Sequence, residues 1–202
     1  MKIYGDVKSP FVRMTLATAH EAGLKDRVSL VETGAKMMEV SATLERLSPI
    51  GKMPVLETDH HHPIHDSRVI MEYLAHVSGR SDLIPDDGVK RFRVLTLLAT
   101  AIGAAEAAVA LRYEIAQRPE PMRWPQYQER LVRRIAATLD DFEVNWSDAL
   151  GTVNVGSIAV ACALGYIDFR HANLDWRKGR SKLADFEKEF AARASLLAWP
   201  VA

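Results

Sequence analysis

Three short stretches carry groups that could do chemistry. In "KSPFVR", residues 8–13, Ser9 stands directly before Pro10 and an apolar run. Ser is a favoured N-cap and Pro a favoured first helical residue, so this is a helix start. A helix start also offers unpaired N–H groups and a positive dipole end, here with a hydroxyl beside them. An anion placed there is stabilised, and a thiolate is a suitable anion. "HDSRVIMEYL", 65–74, repeats the arrangement. Asp66-Ser67 begins a second helix, where a hydroxyl and N–H groups are available to a carboxylate. Between the two lies "SPIGKMPVLE", 48–57. Pro54 heads a strand there, tolerated only where its missing N–H is not needed. A cis bond before it would turn the N–H and C=O of Met53 outward. Taken singly, each stretch is also explained by capping or turn formation.

Histidine and cysteine add less. His60, His61, His62 and His65 are of the right type for a metal site. Adjacent residues in a strand-like turn point different ways, so three in a row seldom meet one ion, and no metal is expected. Cys162 is the only cysteine, which rules out an intrachain disulfide. It sits in the apolar run "VACAL" and reads as a buried structural thiol.

The elements that must position these groups fall into two unlike halves. Residues 1–78 read as β-α-β-(α)-β-β-α. Strands are expected at "KIY", "RVSLVET", Pro54-Val55-Leu56 and around Ile64. Helices are expected over Pro10 to Ala22 and Ser67 to Val77, from their apolar spacing. "SGRSDLIPDDG", 78–88, gathers Gly, Ser, Asp and Pro, and 79–88 is taken as a linker. Residues 89–202 show no convincing strand. Helices are expected over Lys90 to Gln117, Gln126 to about Leu150, Ile158 to Phe169 and about Leu183 to Ala194. The third is apolar on all sides and reads as buried all round. Trp124 and Trp176 are expected to pack rather than stack on a ligand.

The 202 residues allow one large domain or two small ones. Lys and Arg number 26 and Asp and Glu 26, which argues against nucleic-acid binding through bulk charge. No apolar run in the sequence approaches a membrane span, and no signal peptide is visible. A soluble, cytoplasmic protein is expected, with no membrane or nucleic-acid partner.

In this order and spacing, "SPFVR", "SPIGKMPVLE" and "DSRVIMEYL" resemble the glutathione S-transferase family. "LRYE" at 111–114 and "VNVGSIAVACALGYIDFR" at 153–170 look like its bacterial members. The resemblance implies a thioredoxin-like N-terminal domain followed by an all-helical C-terminal domain. It implies glutathione as co-substrate, a small apolar electrophile as second substrate, and a homodimer. By the match, Ser9 would hydrogen-bond the glutathione sulfur, and the Met53 backbone before cis-Pro54 would pair with the cysteinyl part. Asp66 and Ser67 would hold the γ-glutamyl end, and Lys52 would approach the glycyl end. Arg112 and Tyr113 either line the second-substrate cleft or pack, Arg112 then pairing with an acid. The chain departs from the family in three places. Ser9 stands where cysteine-type relatives have Cys, so exchange through an enzyme thiol is not expected. Ile102 stands where many relatives carry an acid that reaches the partner subunit; Glu106, one turn on, could substitute. Asn154 and Ser157 replace the usual capping box, and Ser157 is expected to leave the box incomplete. A family-fold binding module without chemistry, and a glutathione-dependent reductase or dehalogenase, are the alternatives.

Overall fold

Ile3 and Tyr4 lie at the centre of a four-stranded sheet in the computed structural model, which describes residues 1–36, 38–58, 62–86 and 88–201. Strand β1 (Lys2–Gly5) pairs in parallel with β2 (Ser29–Glu32), Ile3 facing Leu30. On its other side it pairs antiparallel with β3 (Val55–Glu57), Ile3 facing Leu56. The short β4 (Ile64–His65) is antiparallel to β3, giving the order β2-β1-β3-β4. Parallel neighbours need a crossover, supplied by helix α1 (Pro10–Glu21). Helix α2 (Ala42–Leu47) precedes β3, and α3 (Ser67–Ser78) follows β4. The order expected from the sequence is found, with β3 starting one residue after Pro54.

The helical domain contains α4 (Gly88–Ala116), α5 (Pro125–Asn145), α6 (Ser147–Leu150), α7 (Val155–His171), α8 (Ser181–Ala191) and α9 (Ala194–Leu197). Helix α7 is its centre. It packs on α4 and also on α1, so it joins the two halves. Ile158, Val160, Leu164 and Ile167 on different sides of α7 are all fully buried, as an all-round apolar helix requires. Gly156 admits the close crossing with α4: a Cβ there would lie 2.8 Å from Leu97 Cγ.

Several expectations are corrected. The helix expected to run from 126 to about 150 breaks at Trp146, whose indole donates to Asp141 at 2.7 Å. The last expected helix is found as α8, and the short α9 that follows it was not expected. The capping box of α7 is complete. Asn154 Oδ1 accepts from Ser157 N–H at 3.1 Å, and the Asn154 N–H donates to Ser157 Oγ at 2.9 Å. A hydroxyl therefore does what a carboxylate does in the usual box. Trp176 is buried as expected, but Trp124 is 62 % exposed and stacks on Tyr127. Helix α4 is long and apolar enough, by length and composition, to cross a membrane, which the sequence reading did not anticipate. Ala101, Ala104, Ala105 and Ala108 along it are buried within the chain. Helix α4 packs on α5 and α7, as a core helix does, with about half of its apolar stretch buried.

Candidate functional site

Ser9 caps α1 with extended backbone (φ −78°, ψ 124°), and Pro10 takes the first helical position. The Ser9 hydroxyl accepts from Val12 N–H at 3.5 Å, a long contact against the usual 2.9–3.0 Å. The cap is therefore weakly made. No acidic side chain occupies the first turn of α1, so its positive end is not neutralised from within.

The peptide bond between Met53 and Pro54 is cis. Pro54 is buried, while Met53 is half-buried and packs against both the main core and the smaller cluster of Tyr4, Leu44 and Val55.

Asp66 caps α3 from a left-handed backbone (φ 72°), a conformation uncommon for residues with a side chain. Its carboxylate accepts from Arg68 N–H at 2.9 Å and from the Arg68 guanidinium at 3.0 and 2.6 Å. The guanidinium beside it holds the Asp66 carboxyl below the usual carboxylate range, although partial burial opposes this. Ser67 is buried at the first helical position. The Asp66–Arg68 pair has a consequence for acid stability. Its contribution is fully present above the unfolded carboxyl value of about 3.9 and is lost as pH falls through the lower folded value. Arg68→Met is expected to raise the Asp66 titration towards its ordinary range, read by carboxyl-carbon NMR. An unmoved titration would contradict the assignment of the pair.

These three segments meet on one wall of a single cleft of about 1190 Å3, above the roughly 300–1,000 Å3 of common small-molecule sites. Ser9, Lys52, Met53, Pro54, Asp66 and Ser67 all line it. The opposite wall comes from the helical domain, through Ile102, Glu106, Arg112 and Tyr113 of α4 and Tyr166 and Arg170 of α7. Arg112 and Tyr113 both line this cleft. Tyr113 is 37 % exposed, and Arg112 makes no ion pair among the described residues. Glu106 is exposed on the same wall and its charge acts on Arg68.

The sequence reading missed Tyr166 and Arg170. Both fall at the end of the apolar run, where all-round burial hides which side of the last turn meets a cavity. Their only signal is their polarity four residues apart, which puts them on one face. Burial pushes the Tyr166 phenol up. Glu114 was also missed: buried under the turn between α4 and α5, it accepts from Trp124 N–H at 2.7 Å and from Arg118 at 2.7 Å. Cys162 lies away from the cleft, fully buried, with its thiol pushed up to about 12 by burial. His60 and His61 lie outside the described residues; among the described residues no group of three or more His, Cys, Asp and Glu is placed to hold a metal ion.

Comparison with known proteins agrees with this geometry. Residues 8–77 match the family model for the glutathione S-transferase N-terminal domain, and residues 125–189 match that for the C-terminal domain. The chain belongs to the glutathione S-transferase family. A glutathione transferase family member from Pseudomonas fluorescens Pf-5, solved with bound glutathione, is 36 % identical. It superposes with a TM-score of 0.96 over 100 % of this chain and 98 % of its own. A second structure of a family member from that organism, with bound S-(propanoic acid)-glutathione, is also 36 % identical, with a TM-score of 0.91 and full coverage of both chains. The uncharacterised GST-like protein YibF of Escherichia coli K12 is 29 % identical over 96 % of each chain. As a glutathione S-transferase family protein, this chain has the thioredoxin-like and helical domains of that fold, with its cleft between them.

Proposed function

We propose that this protein is a serine-type glutathione transferase. The observation that carries the reading is the convergence of Ser9, Met53-Pro54 and Asp66-Ser67, from three separate segments, on one wall of one cleft. In this reading the Ser9 hydroxyl donates to the glutathione sulfur. With the unneutralised end of α1, it favours the thiolate over the thiol. The hydroxyl proton is available because the oxygen's own cap contact only accepts. The Met53 backbone pairs with the cysteinyl part, the start of α3 receives the γ-glutamyl carboxylate, and Lys52 offsets the glycyl carboxylate. The glutathione-bound relative at 36 % identity supports the same ligand. The thiolate then attacks a small electrophile seated against the α4 and α7 wall, with Tyr113 beside it. Ser9 is not the nucleophile, and no metal takes part. Reduction or dehalogenation would use the same thiolate.

The division into residues 1–78, a linker 79–88 and 89–202 belongs to this reading, as does a homodimer. Val69 and Val77 on α3, with Val89 and Phe92 on α4, are between 39 % and 85 % exposed and suit an apolar two-fold contact. Among the small residues of α4, Ala104, Ala107 and Ala108 are buried within the chain, and Gly103 is partly open.

Calorimetry with glutathione tests the reading. Binding is expected, with affinity lowered about tenfold or more in Asp66→Ala, which removes the α3 cap and the partner of Arg68. No heat at millimolar glutathione would leave the binding-module alternative.

A further inference from the structure

The helical wall of the cleft carries more positive charge than glutathione alone explains. Three arginines line it: Arg112, Arg118 and Arg170. Arg118 is neutralised by Glu114 at 2.7 Å, and both Glu114 oxygens are engaged. The other acid of this wall, Glu106, acts on Arg68 at the α3 end. Arg112 and Arg170 have no carboxylate partner among the described residues. The Nε of Arg112 is buried with no hydrogen-bond partner among the described residues. A buried unsatisfied donor on a charged group is costly, and folded proteins seldom leave one without a use. Arg170 lies over the ring of Phe169, 3.8 Å from its centroid. That contact orients a guanidinium without neutralising it. The two arginines lie close together, since both charges act on the Tyr166 phenol and on His171. Apolar groups, Phe11, Val109 and Ala110, line the same cleft.

We infer that the second substrate is a small electrophile with an apolar body and a carboxylate, and that Arg112, with Arg170, receives that carboxylate. This deepens the transferase reading and rests on it. Arg112 is a specificity-determining residue here; the reacting carbon stays with the sulfur near Ser9. A guanidinium fork suits a carboxylate in both geometry and charge. The fully apolar electrophile expected from the sequence would leave the Arg112 Nε unpaired in the complex as well.

The test uses two conjugates made from glutathione and a chlorodinitrobenzoate or its methyl ester. In making each, the thiolate sulfur bonds the ring carbon, the carbon–chlorine bond breaks, chloride leaves with the bonding pair, and the thiol proton passes to solvent. Each conjugate is titrated by calorimetry into wild type, Arg112→Gln, Arg112→Lys and Arg170→Gln. Wild type is expected to bind the acid conjugate about tenfold or more tightly than the ester. Arg112→Gln should bring that ratio close to one, Arg112→Lys should keep part of it, and Arg170→Gln should reduce it. Should Arg112→Gln fail to fold, the Lys and Arg170 variants carry the same comparison. Equal binding of the two conjugates by wild type overturns this inference alone. So does an equal loss of both in Arg112→Gln, which would assign the arginine to glutathione itself. If neither conjugate binds wild type, the glutathione reading falls and this inference falls with it.

Discussion

Ser9→Ala is expected to move the pH profile of kcat/KM for conjugation of an aryl halide to higher pH by about one to two units. A hydrogen bond to the charged form of an acid lowers its pKa, so removing it raises the pKa. A bond to a charged group contributes roughly 1.5–3 kcal/mol, and each pKa unit corresponds to about 1.4 kcal/mol. At pH values below both profiles the variant should be about ten- to hundredfold slower; above both, the two should converge. Stability should change little. A cap is typically worth about 1 kcal/mol, and this one, at 3.5 Å, is long. The split between a large kinetic change and a small change in unfolding free energy separates a ligand-facing hydroxyl from a mere cap. Coincident pH profiles with a loss of stability would make Ser9 a cap and nothing more.

Gly5→Ala is expected to cost about 1–3 kcal/mol in urea unfolding and to weaken glutathione binding at the same time. A Cβ at Gly5 would lie 2.4 Å from Val12 Cγ2 and 3.2 Å from Val12 Cγ1. Val12 is fully buried and its β-branched side chain has little rotamer freedom, so the methyls cannot swing aside. Helix α1 must therefore move off the sheet. Val12 is also the residue whose N–H meets the Ser9 hydroxyl, so the displacement reaches the site. Combining Gly5→Ala with Val12→Ala should cost less than the sum of the two singles, by roughly 0.5–3 kcal/mol. The double variant should recover part of the binding. Strict additivity would mean that the close approach of β1 and α1 does not constrain the helix.

The sheet half was legible because its signals are local. Ser9-Pro10, Pro54 and Asp66-Ser67 each mark an element boundary by backbone chemistry, and the same boundaries supply the groups that face the cleft. The helical half was legible in its elements but not in its faces. The apolar run from 158 to 169 gives no direction to Tyr166, and nothing local marks Arg170 as facing a cavity rather than solvent. Arg112 could be named from the resemblance, but its buried Nε, without a partner among the described residues, is a tertiary fact. Helix α5 ends at Asn145, just before Trp146, whose indole donates to the Asp141 carboxylate, and periodicity does not register this break. The expectation that Ser157 leaves the box incomplete failed for a chemical reason: the reciprocal bond needs an acceptor, and a hydroxyl is one.

The central claim is that this cleft holds glutathione as a thiolate. It is tested most directly by the thiolate absorbance of glutathione at saturating protein, followed against pH. Free thiols of this type titrate near about 8.5. The account predicts a bound titration displaced from there towards neutral, since the Ser9 hydroxyl and the end of α1 both favour the anion. A bound thiol that titrates where the free one does, with binding itself established by calorimetry, would contradict it.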